Sequence, residues 1–338
     1  HTEHRTVLRS LTDQRRPGAL MKRNLISVVV CTYNRCESLR DTLKALKGQA
    51  VGLGLALELI IVDNHSTDNT RRVIESEAQD FPWPVKYLFE PRQGKSHALN
   101  MAIRQAEGQM VALTDDDVMP EANWVRALWD AMERHRADCV GGKILPRWVE
   151  PPAPWLESTE LRPNLWELLS LLDRGPEPLI AAAGSDNFLM GANMAVRKAA
   201  LDEVGLFRTD LGPSGETLMK GEDSELLGRL LQAGKRVVYT PDAAVHHKVW
   251  PSRARMSYLR RRKFYGSRYV ALIAPAGRLF PPAWLLRECG VNGVRALWAY
   301  ARGRREDGIR HELLCWAQLG QIAWPPAIQV ETRLGHSQ

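Results

Sequence analysis

From Leu25 onward the chain alternates short, unbroken apolar runs with stretches whose apolar residues recur at helical spacing. Leu25–Cys31 is continuous and valine-rich, as expected of a strand buried on both faces. Leu39, Leu43 and Leu46 then share one helical face, with Gly48 as a stop signal. Leu59–Val62 predicts a second buried strand, and Ser66, Thr67 and Asp68 are N-cap candidates for the helix after it. Val85–Phe89 predicts a third strand. Ser96–Glu107 predicts a helix that turns Leu99, Ala102, Ile103 and Ala106 inward, and Met110–Leu113 a fourth strand. This β-α-β-α order predicts an α/β fold, a mostly parallel sheet flanked by helices.

The pattern changes further along. Residues 121–136 predict an amphipathic helix carrying Trp124, Val125, Leu128, Trp129 and Met132. Pro146–Pro178 is rich in Pro, Trp and Leu without a single period and reads as a connection with short helices. Phe188–Val196 predicts a strand, Ser224–Gln232 a helix and Arg236–Thr240 a strand. After Pro251 the alternation stops and basic helical segments take over. The expected division is an N-terminal extension over 1–24, one large domain over 25–250 and a basic helical C-terminal region over 251–338. Residues before Met21 read as an expression remnant or a processed start and stay outside the fold argument.

Charge sharpens this division. Residues 251–338 hold 15 Arg and Lys against 5 Asp and Glu, a balance of +10. Residues 1–250 hold 31 against 34, a balance of −3. The basic C-terminal quarter is either a solvated face or a surface for an anionic partner. The five cysteines are scattered and form no CxxC pair, which points to neither a disulfide framework nor a zinc cage and suits a reducing compartment. No signal-peptide pattern is visible, and no run reaches the roughly 18 apolar residues of a membrane span. The expected location is cytoplasmic, peripheral on the inner face of a membrane.

Several constellations carry chemistry. Asp115, Asp116 and Asp117 follow directly on a predicted buried strand, where ligands of open parallel sheets bind. Extended backbone would point Asp115 and Asp117 the same way. Adjacent carboxylates repel unless a cation is present, and Mg²⁺ or Mn²⁺ is the natural one; an acidic solvent turn is the plainer reading. Asp63 ends the second strand and reads equally as a nucleotide contact or a helix cap. Thr32, Tyr33 and Asn34 end the first strand and would line the same crevice. Arg92, Gly94 and Lys95 precede a helix and together make an anion site. Glu222 and Asp223 open a helix, as capping acids or as a general base. His246 and His247 follow a strand, and one of them could complete a metal shell.

Together these segments resemble glycosyltransferase family 2, of the GT-A fold. The resemblance rests on Ser27–Arg35, Ile61–Asp68, Gly94-Lys95 to Asn100, Thr114–Asp117, Gly191–Ala195 and Gly221–Asp223, and covers roughly residues 25–250. Bacterial polysaccharide and cell-surface glycan enzymes are the most similar. The resemblance implies a nucleotide-binding half over 25–120 and an acceptor and catalytic half over 121–250. It implies that Thr32, Tyr33, Asn34, Arg35, Asp63, Arg92 and Lys95 cradle the nucleotide. Asp115 would approach the ribose, Asp116 would contact the nucleotide sugar, and Asp117 would bind the Mn²⁺ or Mg²⁺ that bridges the donor diphosphate, as a DXD motif does. Gly191, Ala192 and Asn193 would let backbone approach the donor sugar. Asp223 would be the catalytic base, with Glu222 beside it. His246 or His247 would reach the metal, and the doubling leaves the choice open.

The implied reaction is inverting transfer from a UDP-, GDP- or dTDP-sugar to a hydroxyl of a glycan or lipid-linked acceptor, with no nucleic-acid partner. Two other readings share the sheet and the carboxylates: a nucleotidyltransferase that makes nucleotide sugars, and a catalytically silent nucleotide-sugar-binding module. The first normally carries a glycine-rich signature at its first strand, where this chain has Cys31-Thr32-Tyr33-Asn34-Arg35. In the C-terminal quarter, basic residues from Arg253 to Arg268 interleave with aromatics, a composition suited to docking on an anionic membrane.

Overall fold

The computed structural model describes residues 9–10, 24–52, 54–185, 188–214, 218–273 and 281–323. They fall into two compact units. One comprises the described residues of His1–Pro151, Leu169–Glu216 and Gly221–Pro251, and the other those of Pro152–Leu168, Thr217–Lys220 and Ser252–Gln338.

The first unit is a helix-flanked sheet of ten strands: β1 (Arg9–Ser10), β2 (Leu25–Thr32), β3 (Ala56–Asp63), β4 (Val85–Phe89), β5 (Met110–Asp115), β6 (Val118–Pro120), β7 (Cys139–Trp148), β8 (Leu179–Ile180), β9 (Asn193–Arg197) and β10 (Val237–Val249). The spatial order is β1-β4-β3-β2-β5-β9-β7-β10-β6, with β8 against β10. Strands β4, β3, β2 and β5 are all parallel, as the alternating pattern predicts. Beyond β5 the sheet becomes mixed, because β9 runs antiparallel to both β5 and β7.

The apolar runs are buried on both faces. Val28, Val29 and Val30 are all inaccessible to solvent. Val29, Val62 and Leu113 join one core cluster with Leu99 and Ile103 of α3 (Lys95–Gln105) and Leu226 and Leu227 of α7 (Glu222–Gln232). The remaining helices of this unit are α1 (Cys36–Lys47), α2 (Thr70–Ala78), α4 (Trp124–Arg134) and α6 (Lys198–Val204).

Three expectations need correction. Most of Phe188–Val196 is turn, and the strand is Asn193–Arg197, because antiparallel pairing with β5 begins only at Asn193. The connection with short helices expected over Pro146–Pro178 starts later, because β7 runs to Trp148; beyond it come a short turn at Pro154–Leu156 and a helix at Arg162–Leu168, as expected. Gly141 and Gly142 break any apolar period in β7, yet they have backbone in the places a Cβ would occupy. The strand expected over Arg236–Thr240 continues to Val249 through a register shift between Thr240 and Val245, which carries both histidines into the sheet.

The second unit contains α5 (Arg162–Leu168), α8 (Met256–Ile273), α9 (Ala283–Ala301) and α10 (Arg305–Ile322), the helical character expected after Pro251. No described helix is long and apolar enough to cross a membrane.

Candidate active site

Strand register builds the site. Thr32 lies opposite Asp63, and Cys31 opposite Asp115, so β2, β3 and β5 end at one level. That edge is where an open parallel sheet binds its ligands.

The three aspartates do not follow the alternation expected of extended backbone. The strand ends at Asp115 and the chain turns at Asp116-Asp117. Asp115 therefore faces Lys95, 2.6 Å from Nζ, whereas Asp116 and Asp117 share the Arg35 guanidinium at 3.0 and 2.9 Å. Asp116 also accepts from the Thr32 hydroxyl at 2.8 Å. Asp117 Oδ1 lies 3.2 Å from His247 Nε2, and both side chains are almost completely buried. Burial pushes the Asp116 carboxyl up, to about 6, against the opposing pull of Arg35. The same carboxylate, chiefly, holds the Arg35 guanidinium above its ordinary range.

Lys95 connects this cluster with the far side of the site. It opens α3 after Gly94, whose φ of 136° suits only glycine. Asn64 secures that turn: its amide donates to the carbonyls of Glu90 and Arg92 and accepts from the Gly94 N–H. Burial draws the Lys95 ammonium down, but Asp115, Asp223 and Glu222 outweigh it and hold Lys95 well above lysine's usual range. One cation thus feels the carboxylates after β5 and those that open α7. Asp223 accepts from the Gly191 N–H at 2.8 Å, and Glu222 is buried next to Gly212.

Other sequence candidates serve different ends. Asn34, at φ 50°, accepts from the N–H groups of Thr67 and Asp68 and so ties the loop after β2 to the loop after β3. Tyr33 is partly exposed beside it. Asp63 accepts from the Ser66 N–H and the Tyr87 hydroxyl, which makes it a loop anchor at the strand end. Arg92 is not brought to the acidic cluster; Glu90 holds it in a two-pronged pair at 2.8 Å and 2.8 Å. The Asn193 amide donates to the carbonyls of Lys143 and Ala243 and accepts from Trp124, so it joins β9 to β7 and β10. Ala192 offers its carbonyl to Thr114. His246 and His247 project to opposite sides of β10, and His246 meets Glu121 at 3.1 Å, away from Asp117.

The sequence reading missed Asn64, although its place directly after Asp63 at a strand end was a signal. It also missed Lys248, whose N–H donates to the Asp117 carbonyl and whose ammonium pairs with Asp41 at 2.6 Å. No local pattern connects positions 41, 117 and 248.

Among the described residues no three His, Cys, Asp or Glu side chains form a closed metal cage. Asp117 and His247, with Asp116 adjacent, nonetheless suit a divalent cation that takes its other ligands from phosphate oxygens and water.

The glycosyl transferase family 2 model matches residues 27–205, more than half of the chain. The chain belongs to glycosyl transferase family 2. The transferase is 27% identical over 269 residues to the succinoglycan biosynthesis protein ExoM of Rhizobium meliloti, covering 79% of this chain and 81% of that protein. It is 28% identical over 257 residues to the glucosyl-dolichyl phosphate glucuronosyltransferase of Haloferax volcanii, covering 74% and 78%. Its fold is similar to that of the mannosyltransferase PcManGT from Pyrobaculum calidifontis, solved with GDP-Man and Mn²⁺. The TM-score is 0.60 at 20% identity, over 88% of this chain and 87% of that one. GalNAc-T7, solved with UDP, GalNAc and Mn²⁺, matches at a TM-score of 0.52 and 17% identity, over 76% and 52%. The GT-A architecture expected from the motifs is therefore present, and the protein is a glycosyltransferase of glycan biosynthesis.

Proposed function

We propose that the protein transfers a sugar, with inversion, from a nucleoside-diphosphate sugar to a hydroxyl of a glycan or lipid-linked acceptor, with a divalent cation bound through Asp117 and His247. The observation that carries this reading is Lys95, whose charge answers both Asp115 at the end of β5 and Asp223 at the start of α7. In this reading Lys95 stands between the donor side and the base side of the site. The relatives in succinoglycan biosynthesis and on a dolichyl-phosphate acceptor support both acceptor classes.

In the proposed step the acceptor oxygen bonds to the anomeric carbon as the bond from that carbon to the diphosphate oxygen breaks. The acceptor proton passes to Asp223, and the nucleoside diphosphate leaves with the bonding electrons. A cation held by Asp117 and His247 would supply neutralisation of charge on the leaving diphosphate. Lys95 adds a fixed positive charge on the same side, at a helix N-terminus that favours anions. The Gly191 N–H holds the Asp223 carboxylate in place, and a positioned base of this kind contributes about 10²–10⁴ in rate.

The test is incubation with UDP-, GDP- and dTDP-sugars with and without Mn²⁺, in wild type and in Asp223→Asn. Release of nucleoside diphosphate that needs Mn²⁺ and falls at least about a hundredfold in Asp223→Asn, with nucleotide binding retained, supports the reading. Pyrophosphate exchange instead would assign the cleft to nucleotidyl transfer. An unchanged rate in Asp223→Asn would remove that residue as the base.

A further inference from the structure

Helix α9 exposes an apolar face that the interior of its own unit does not use. Leu285, Asn292, Ala296 and Ala299 are buried along one side, where Asn292 donates to Gln318 of α10 at 3.2 Å. Val294, Leu297 and Trp298 share the other side at i, i+3 and i+4, and they are 66%, 73% and 50% exposed. Trp284 and Leu286 extend the exposed set to the first turn at 59% and 51%. Single exposed apolar residues are ordinary, but a contiguous set along a helix marks an interaction surface.

The charges beside this face identify what it meets. Arg287 and Arg295 are on the helix, against the single acid Glu288, and Arg302 and Arg304 follow its end. The Arg302 guanidinium sits 3.9 Å from the centre of the Trp298 ring, and that of Arg304 sits 5.8 Å away. Cations therefore border the apolar face, with a tryptophan at its edge. An interfacial helix has this arrangement: aliphatic and indole surface enters the acyl boundary, and the arginines meet anionic headgroups. A neutral bundle neighbour would give these arginines no counterpart.

The reading of the sequence placed membrane contact on the basic and aromatic run from Arg253 to Arg268, just before and within α8. The described side chains of that segment are largely engaged inside the unit. Leu259 is completely buried, Arg260 pairs with Glu312, Phe264 packs edge-on against Trp316, and Arg262 donates to the Leu218 carbonyl at 3.1 Å. Composition alone does not separate the helix that packs from the helix that is presented. Residues 274–280, between α8 and α9, lie outside the described residues.

We infer that the outward face of α9, centred on Val294, Leu297 and Trp298, docks in the headgroup region of an anionic lipid bilayer without crossing it. Apolar insertion and arginine–phosphate attraction both contribute, so binding is sensitive to salt but not abolished by it.

The experiment is co-sedimentation of the full chain with vesicles of phosphatidylcholine alone and of phosphatidylcholine mixed with phosphatidylglycerol, at low and high salt. Wild type is expected in the pellet with the mixed vesicles, more at low salt than at high. Val294→Glu with Leu297→Glu changes only exposed positions and is expected to bind at least about tenfold more weakly, since two buried aliphatic contacts are lost. Arg295→Gln with Arg302→Gln is expected to flatten the salt dependence. Protein that stays in the supernatant with mixed vesicles at low salt overturns the inference, and so does undiminished binding by the Val294→Glu, Leu297→Glu variant. A wild-type dimer that this variant dissociates, with no vesicle binding, would assign the face to a second copy of the chain. Vesicle binding requires no turnover, so its outcome is separate from that of the transfer assay.

Discussion

The backbone N–H of Gly191 donates to Asp223 Oδ2 across 2.8 Å, and a Cβ at position 191 would stand 2.5 Å from Asp223 Oδ1. The glycine is needed here for space, since it leaves room for a carboxylate to lie directly on the backbone. Its neighbours in the chain, Ala192 and Asn193, continue into β9, so the donor N–H is fixed by the sheet.

Gly191→Ala is therefore expected to move the Asp223 carboxylate rather than the strand. A displacement of this size at a reacting group can cost about a hundredfold in turnover. Nucleotide affinity should stay near wild type, because the added methyl group meets the Asp223 carboxylate. Calorimetry with UDP or GDP and Mn²⁺, alongside steady-state kinetics, checks the split; equal losses in binding and turnover would show that the whole cleft had shifted.

The two adjacent histidines should behave differently. His247 meets Asp117 at 3.2 Å in a buried setting, and His246 meets Glu121 at the surface. His247→Ala is expected to weaken Mn²⁺-dependent nucleotide binding by about 10–100-fold, the usual cost of losing a group at a metal centre. His246→Ala should leave it unchanged. Titration of both variants with Mn²⁺ at fixed nucleotide decides, and a larger effect from His246→Ala would reverse the assignment.

Lys95→Gln tests the cation that connects the two sides of the cleft. Removing it takes away the partner of Asp115 at 2.6 Å and one positive charge felt by Glu222 and Asp223. The expected cost in stability is about 2 kcal/mol, below the range for fully buried pairs because Lys95 and Asp115 keep some solvent contact. Donor nucleotide affinity should fall as well. Urea unfolding and nucleotide titration are the measurements; unaltered nucleotide affinity would confine Lys95 to a structural part.

Asp68 offers a stability test away from the catalytic groups. Its carboxylate accepts from the Cys36 N–H at the start of α1 and from the Thr70 N–H at the start of α2. Burial is the largest single influence and raises its pKa, but the hydrogen bonds from the Thr70 hydroxyl and from these two N–H groups together outweigh it, and the net position is below the ordinary carboxylate value. A lowered folded-state pKa stabilises the fold above the unfolded value of 3.8, and this contribution disappears as pH falls through the folded value. Asp68→Ala should cost about 1 kcal/mol at neutral pH, as for other helix-start caps. The gap in urea midpoint between variant and wild type should close in strong acid, and a gap that persists there would show that lost packing is responsible.

The pattern of residues by itself determined the elements from Leu25 to Leu113, their parallel pairing and the clustering of Thr32, Asp63 and Asp115 at one edge. Those features follow from local periodicity and from the rule that loops at strand carboxyl ends face the ligand, both of which are written in contiguous residues. That acids after β5 and at the start of α7 act together was an expectation of the family resemblance, and Lys95, which feels both sets of carboxylates, is consistent with it. Tertiary structure alone decided which face each ambiguous side chain takes. The register shift in β10 sends His247 to Asp117 and His246 to Glu121. A turn at Asp116-Asp117 breaks the expected alternation and brings Arg35 across 81 and 82 positions of sequence. Asn193 is taken up by carbonyls of β7 and β10, which meet only once β9 is placed between distant strands. In the C-terminal unit α8 and α9 are both rich in arginine and aromatics, and only packing against α10 shows that α9 turns its apolar face outward. Side-chain partners drawn from positions far apart leave no trace in a local pattern, because burial and pairing are properties of the assembled surface.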